Sequence, residues 1–455
     1  MVPDDVNEVH LFFLGIGGIG MSALARYYNN KGHRISGYDR TCTPLTIALE
    51  AEGMDVFYTD SPALMASPPD YVVFTPAIKE GQLFTHFKSL GIPMYKRSEV
   101  LGRITRGKFT IAVAGTHGKT TVSSMITHLL RSAKRPVTAF LGGISNDLGS
   151  NFCFAENAEF LIVEADEFDR SFLTLNPSIA VITSMDPDHL DIYGEASSLR
   201  EAFLSFAGRV EPNGVLLQKA GLPVARISGK SKSYAQGDLA DYRSHITENN
   251  GISTVFNLVV GHQRFEDLSM NYPGWHNIEN MTAALAACIE AGVAVDELRD
   301  GVSSYSGVHR RFEIVIHSPD LVFIDDYAHH PVELNAIITS VRELFPGRHI
   351  SGIFQPHLFS RTRDFADGFA ESLSLLDALY LLDIYPAREK PIAGVDSNLI
   401  LDKVLIKNRK LVTKEQITEE GYFKDKNLQV LLTLGAGDVS DIVKPLKDNL
   451  LKEYL

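Results

Sequence analysis

The sequence predicts an α/β protein built on mostly parallel sheets, and three observations carry that reading. Short β-branched runs alternate with longer amphipathic stretches. Three strand-like runs open onto distinctive loops, GIGGIG, GTHGKTT and DDYAHHP. The chain has 455 residues, too many for one core, so two or three domains are expected. Boundaries near 107 and 316 separate the three blocks, giving expected domains 1–107, 108–316 and 317–455.

Composition narrows the function. Lys plus Arg total 43 against 56 for Asp plus Glu, a formal charge of −13, so the broad basic field of a nucleic-acid binder is missing. Phosphorylated small ligands remain compatible, provided cations and backbone N–H donors are concentrated in sites. Cys42, Cys153 and Cys288 form no CxxC or metal-ligand pattern and read as reduced thiols. No run of about eighteen apolar residues argues for a membrane span, and MVPDDVNEVH lacks the form of a signal peptide. A cytoplasmic protein is expected.

The first block opens with a strand at His10-Leu11-Phe12-Phe13-Leu14 and enters the loop Gly15 to Gly20. A helical stretch, Met21 to Asn30, and a second strand, His33 to Asp39, complete a βαβ unit. Asp39 stands nineteen residues beyond Gly20, where a ribose-binding acid is placed in dinucleotide folds. Taken alone, this predicts an NAD-dependent oxidoreductase. The physics, a glycine turn and a helix N-terminus aimed at phosphate, serves any diphosphate-bearing ligand equally. A later strand, Tyr71 to Phe74, stops at Thr75-Pro76-Ala77.

The second block carries the strongest local signal. An apolar strand, Lys108 to Ala114, feeds Gly115-Thr116-His117-Gly118-Lys119-Thr120-Thr121. The glycines let backbone N–H groups turn inward around phosphate oxygens, Lys119 supplies a point charge, and the Thr120 hydroxyl suits Mg²⁺. Val113 occupies the first glycine position of the strict GxxxxGK[ST] spacing, so the loop is a variant. Two phosphate loops call for two phosphorylated ligands, and a nucleoside triphosphate with a nucleotide-diphosphate sugar meets that demand without redox chemistry. The strand Phe160 to Val163 ends in Glu164-Ala165-Asp166-Glu167, where Glu164 is placed to hold Mg²⁺. A strand at Ile179 to Thr183 leads to SMDPDHLD, with His189 a ligand for a second Mg²⁺. His276-Asn277-Ile278-Glu279-Asn280 opens an Ala-rich helix from Met281 to Ala291. Its amides suit a base edge, or simply an Asn-rich helix start. In Val308 to Glu313, an Arg is placed for the γ-phosphate, or as part of a surface pair.

The third block opens at Leu321 to Ile324 and runs into Asp325-Asp326-Tyr327-Ala328-His329-His330-Pro331. No third His or Cys stands at useful spacing, so zinc is rejected. Phe354-Gln355-Pro356-His357, followed by Arg361 and Arg363, supplies guanidinium groups for an amino-acid carboxylate.

In the order GIGGIGMSALA, GTHGKTT, EADE, HLD, HNIEN, GVHRRFE, DDYAHHP and FQPH, the chain resembles the Mur ligases over essentially its whole length. The resemblance implies an N-terminal Rossmann-like UDP-sugar domain, a central P-loop-type ATPase and a C-terminal Rossmann-like domain that admits the amino acid and closes. GIGGIGMS and DDYAHHP resemble the branch that joins L-alanine to UDP-N-acetylmuramate, with ATP and Mg²⁺, through an acyl phosphate. On that resemblance Gly15, Gly17, Gly18, Ile19 and Gly20 hold the UDP diphosphate, with Asp39 near the uridine and Thr75 also on this substrate. Asn146, in SNDLGSN, belongs to a loop contacting the muramyl group. Gly115 to Thr121 bind ATP, and Thr120, Glu164 and His189 bind metal. His276, Asn277 and Asn280 form the adenine side, Arg311 meets the γ-phosphate and Asp326 the ribose. Tyr327, His329, His330 and Arg361 face the alanine, with His329 or His330 as base. Some relatives bridge Mg²⁺ with a carbamylated lysine after HLD; no lysine lies between Glu195 and Gly214, so that feature should be absent. The family's FQPH commonly continues with a basic residue, and Leu358 here shifts carboxylate anchoring to Arg361 or Arg363. The rival expectations are a murein-recycling ligase that adds a peptide, the oxidoreductase, and a non-catalytic nucleotide-binding regulator.

Overall fold

The computed structural model describes residues 8–454 other than 66, 77, 79, 187–192, 194, 225–228, 238, 251–252, 388 and 425. The first sheet is parallel throughout, in the order Asp55–Phe57, Arg34–Tyr38, His10–Leu14, Tyr71–Phe74, Met94–Lys96. Strand order reverses beside His10–Leu14, so the loop leaving its C-terminal end emerges at the switch point where open α/β sheets bind ligands.

The second sheet has ten strands, with a parallel core in the order Lys230–Gln236, Val215–Lys219, Ile179–Ile182, Thr110–Ala114, Phe160–Glu164, Val137–Ser145. Ser150–Cys153 runs antiparallel at one edge. Thr110–Ala114 is buried at every residue, which is why it reads as an unbroken apolar run instead of an alternating one. Its parallel neighbours put the loops after Ala114, Glu164 and Ile182 on one edge of the sheet. A third, six-stranded sheet pairs Glu313–His317 antiparallel with Val322–Asp326. Parallel strands Val430–Leu434, Ile350–Phe354, Ala378–Leu381 and Asn408–Leu411 follow in order.

The chain forms two compact units. The first comprises Met1–His245, Phe256–Ser269 and Glu279–Ser306; the second comprises Ile246–Val255, Met270–Ile278 and Gly307–Leu455. Within the first, the two parallel sheets share one apolar core. The helix Ile19–Asn30 buries Met21 through Tyr28, and Tyr27 packs on Phe140 at 5.5 Å and Phe154 at 6.1 Å between ring centroids. The core of the second unit gathers Phe323, Ile353, Tyr380 and Leu431. Among the described residues, no helix is long and apolar enough to cross a membrane.

Two element boundaries differ from expectation. The first helix begins at Ile19 instead of Met21, because Gly18 takes an extended N-cap conformation (φ −66°, ψ 140°) immediately after the turn. The HNIEN segment lies inside the helix Trp275–Glu290, not ahead of it. The Asn277 side-chain amide donates to the Pro273 carbonyl at 2.6 Å, closing the Pro-Gly turn one residue before the helix starts.

A buried polar network joins the first helix to the edge strand Ser150–Cys153. Arg26, 6% exposed, donates to Glu52 at 2.7 Å and to the Asn151 side-chain oxygen. Asn151, fully buried, donates in turn to the Ile19 carbonyl and to Ser22 Oγ at 3.0 Å. Replacing Asn151 with Ala strips the Ile19 carbonyl and part of the Arg26 guanidinium of their partner. The expected loss is about 2 kcal/mol, read as a lower urea midpoint for Asn151→Ala.

Candidate active site

In the first unit, the phosphate loop is shaped by its glycines and pinned to a neighbouring strand end. Gly115 has φ +142°, and a Cβ there would lie 2.0 Å from Thr183 Oγ1, so only glycine fits. The His117 N–H donates to Ser184 Oγ at 2.7 Å, Thr116 Oγ1 meets the same oxygen at 2.9 Å, and the Thr183 hydroxyl donates to the His117 carbonyl. Gly118, at φ +81°, is the N-cap of the helix Lys119–Ser132, whose first turn carries buried Thr120 and Thr121. Asn280 comes to this loop: its Oδ1 stands 3.1 Å from where a Cβ on Gly118 would sit.

The Lys119 ammonium donates to the Gly115 carbonyl at 2.6 Å and to Glu167 Oε1 at 2.9 Å, with Oε2 at 2.8 Å. Glu167 is fully buried. Burial alone would pull the Lys119 pKa down, but Glu167, Glu164 and Asp166 outweigh it and hold the ammonium above the ordinary lysine value. The sequence pointed to Glu164 as the important acid of EADE. Glu167 is the residue it missed, although a second glutamate three positions on was the available signal.

Glu164 ends its strand beside Val113 and accepts the Gly142 N–H at 3.0 Å. A Cβ on Gly142 would lie 2.3 Å from that carboxylate, so a glycine is required for the acid to rest on the backbone. Further along the same loop, Asp166 pairs with Arg97 at 3.2 Å and Asp169 with Lys96 at 3.4 Å. Asp169 and Arg170 both adopt φ +53°, a left-handed pair that lets consecutive acids face different cations. Tyr193 donates to the Glu167 carbonyl at 2.6 Å and secures the loop from behind. His189 lies outside the described residues.

A cleft of about 310 Å³ opens between these acids and the glycine turn, lined by Gly18, Ile19, Gly20, Thr75, Arg97, Gly142, Glu164 and Asp166, among others. It brings together residues expected for two different ligands. Gly15 anchors the turn through its N–H to the Tyr38 carbonyl at 2.7 Å. Asp39 braces the turn, accepting the N–H of Gly17 at 2.9 Å and of Thr41 at 3.2 Å. Asn146 is exposed, donates to the Ser306 carbonyl at 3.0 Å and is not among the lining residues.

In the second unit, the two adjacent arginines have different fates. Arg310 is built in: its Nε lies 3.2 Å from Asp325 Oδ2, and its Nη atoms donate to the Gly435 and Gly437 carbonyls. Arg311 lies over the Tyr327 ring at 5.1 Å, with Glu333 only distantly engaged at 3.9 Å. Asp326 accepts the N–H groups of Phe312 at 2.6 Å and Ala328 at 2.7 Å. Burial pushes its pKa up to about 6, despite Arg311 and those two N–H groups. His330 is buried, caps the helix Pro331–Leu344 by accepting the Val332 N–H at 3.4 Å, and packs on Phe365. His329 sits against Tyr327 and His357 at 5.2 and 5.9 Å between ring centroids, with Nδ1 3.0 Å from the Tyr327 carbonyl and 3.4 Å from Glu333. Desolvation pulls both His329 and His276 down to about 4, overriding Glu333 in the first case. His276 meets Ser340 at 3.4 Å, and Arg361 is a buried cation in the helix Phe359–Asp364.

Comparison with known proteins bears on the whole chain. The description "Mur ligase family, catalytic domain" matches residues 10–109, "Mur ligase middle domain" residues 113–288, and "Mur ligase, glutamate ligase domain" residues 310–437. The chain is similar to a UDP-N-acetylmuramate–L-alanine ligase from Christiangramia forsetii, 45% identical and covering 99% of both chains. A protein of the same name from Parabacteroides distasonis is 46% identical, again over 99% of each. Among solved structures, the UDP-N-acetylmuramate-alanine ligase of Thermotoga maritima superposes with a TM-score of 0.82 at 26% identity, covering 98% of this chain and 100% of that one. A murein peptide ligase from Psychrobacter arcticus shares the fold, with a TM-score of 0.72 at 20% identity over 97% and 98% of the two chains.

Two desolvated histidines of the second unit make a contribution to stability that acid removes. From the ordinary histidine value of 6.5 down to about 4, the unfolded chain takes protons at His276 and His329 that the folded chain refuses. Stability from these two is therefore whole above 6.5 and is lost as pH falls through that window. Asp326 acts oppositely: raised from 3.8 to about 6, its contribution is present below 3.8 and lost as pH rises through 6. His309, raised by its bond to Glu313, and Asp325, raised by burial, act in the same direction as Asp326. The separable expectation is therefore for one residue: the change in urea midpoint from about pH 7 to about pH 5 should be less unfavourable in His329→Gln than in the wild type.

Proposed function

The chain belongs to the Mur ligase family, and we propose that it joins L-alanine to the lactyl carboxylate of UDP-N-acetylmuramate at the expense of ATP, through an acyl phosphate. The observation that carries this reading is the meeting of two phosphate loops at one acidic strand end. The GTHGKTT lysine is held by Glu167, and the cleft headed by Gly18–Gly20 ends on Glu164 and Asp166 of that same loop. A triphosphate and a diphosphate sugar therefore have binding elements within one compact unit. The alanine acceptor is supported by relatives of that name at 45 and 46% identity over 99% of the chain.

In this reading Gly115 to Thr121 cradle the ATP phosphates, and Lys119 offers its remaining N–H to phosphate oxygen while Glu167 and the Gly115 carbonyl hold it. A carboxylate and a hydroxyl are hard oxygen ligands, so Glu164 and Thr120 suit Mg²⁺, with His189 proposed for a second site. Bound there, Mg²⁺ would neutralise phosphate charge. A lactyl oxygen forms a bond to the γ-phosphorus as the bond to ADP breaks, turning a very poor acyl donor into a good one. The alanine amine then attacks the acyl carbon and phosphate leaves. Lys119 and Arg311 are proposed to stabilise the transferring phosphoryl group. Asn280, with His276 and Asn277, is proposed for the adenine side and Asp326 for the ribose.

Tyr327, His330 and Arg361 are proposed for the alanine, and His329 as the base. With Nδ1–H directed at the Tyr327 carbonyl, the Nε2 lone pair is left to accept the amine proton. A depressed pKa keeps that ring neutral at physiological pH. We further propose a cytoplasmic location and a functional division at 107 and 316.

The test is phosphate release from ATP and Mg²⁺ with UDP-N-acetylmuramate, adding L-alanine, glycine, L-serine or the murein tripeptide separately. Release should require both the UDP sugar and L-alanine, and Lys119→Ala should lower kcat at least about a hundredfold. Release with tripeptide but not alanine would make the chain a recycling ligase. No release with any pair, or nicotinamide binding at Gly15–Gly20, would overturn the ligase reading.

A further inference from the structure

We propose that Arg97 is the side chain that receives the diphosphate of the nucleotide sugar, and that Asp166 occupies it until that substrate arrives. The inference rests on the reading above and assigns a residue that the motifs do not single out.

Three observations support it. Arg97 is the only cationic side chain among the described residues lining the cleft, so a diphosphate bound there has no other fixed positive partner. Its guanidinium lies against the first turn of the helix Ile19–Asn30: a Cβ on Gly20 would stand 2.7 Å from Nη1 and 3.2 Å from Cδ. Gly18 and Met21 already donate to the Gly15 and Gly18 carbonyls, which leaves Ile19 and Gly20 as the first-turn N–H groups that have no intrahelical acceptor. A planar fork of donors beside them makes a two-sided anion site with the geometry a diphosphate matches. Lastly, the stem is fixed, because Arg97 starts the helix Arg97–Ile104 and Glu99 accepts the Lys96 N–H at 2.9 Å just before it.

The contact with Asp166 has the marks of a partner that can be exchanged. It is a single Nη2–Oδ2 approach at 3.2 Å, longer than a well-formed charge-assisted bond. The side chains are 19% and 37% exposed, so the pair stabilises the fold little. A diphosphate offers more charge and several acceptor oxygens to the same fork. Asp166 also accepts the Phe168 N–H at 3.0 Å through its other oxygen, so it keeps a partner when Arg97 turns away.

Exchange and a fixed structural bridge predict opposite signs for one variant. Binding of UDP-N-acetylmuramate, of UDP and of a non-hydrolysable ATP analogue would be measured by calorimetry on wild type, Arg97→Ala, Arg97→Lys and Asp166→Asn. Expected results are UDP-sugar affinity down at least about tenfold in Arg97→Ala, partly restored in Arg97→Lys, and raised a few-fold in Asp166→Asn. ATP-analogue affinity should stay within about twofold in Arg97→Ala and Arg97→Lys. Unchanged UDP-sugar binding in Arg97→Ala, or weakening in Asp166→Asn parallel to that in Arg97→Ala, overturns the proposal. If Arg97→Ala proves unstable in a melting curve, Arg97→Lys and Asp166→Asn still decide by sign. A wild-type protein that binds neither UDP compound overturns the functional reading instead.

Discussion

The buried ion pair between Lys119 and Glu167 is the constraint from which the rest of the first unit's site follows. A fully buried carboxylate is tolerable only when paired, and removing either partner strands a charge. The pair therefore fixes how far the loop after Glu164 lies from the phosphate loop. With that distance set, Glu164 falls on the Gly142 backbone, and Asp166 and Asp169 turn toward Arg97 and Lys96. One acidic loop thus gathers cations from three separate elements. Its own repulsion is relieved by them, and their positive charge is held beside the glycine turn and the GTHGKTT loop.

Keeping those acids in place needs strain. Asp169 and Arg170 in the left-handed region cost on the order of 1–3 kcal/mol each. The surroundings over-determine the loop: Tyr193 holds the Glu167 carbonyl, and Phe172, directly after the kink, stacks on Phe206 at 5.0 Å with rings 6° from parallel. The packing enthalpy and apolar burial of that aromatic anchor offset a backbone that no local propensity favours. Such strain set directly beside a phosphate loop fits a segment that must exchange partners during turnover.

How much of this was legible follows from sequence distance. Parallel strands buried on both faces announce themselves as apolar runs, so Thr110–Ala114 and Phe160–Glu164 could be placed, and with them the loops they feed. Glu164 was readable because it directly ends such a run. Glu167 and Arg97 were not, because their partners stand 48 and 69 residues away and no local pattern encodes so distant a contact. His330 and Asn277, expected on the ligands, also bond backbone at helix starts, a role their sequence positions did not reveal. Asp39 was anticipated as a ribose acid by its spacing and near the uridine by the family resemblance; position at a strand end does not reveal that one oxygen accepts the Gly17 N–H.

The same logic separates Arg310 from Arg311, which sequence alone leaves equivalent. Arg310 and Phe312 have φ +60° and +46°, so the backbone turns on either side of Arg311, and both guanidinium groups lie over the Tyr327 ring, at 5.2 and 5.1 Å. Asp326 secures this turn through the Phe312 N–H, and Arg310 secures it through Asp325, which Thr433 also holds. Arg310 is thereby part of the sheet's edge and cannot leave without exposing a buried acid. Arg311 rests on the Tyr327 ring with Glu333 at 3.9 Å, and its charge also acts on Asp326. The proposed assignment of the γ-phosphate to Arg311 instead of Arg310 follows from this difference: Arg310 is tied to Asp325 and to the Gly435 and Gly437 carbonyls, which a phosphate would have to replace.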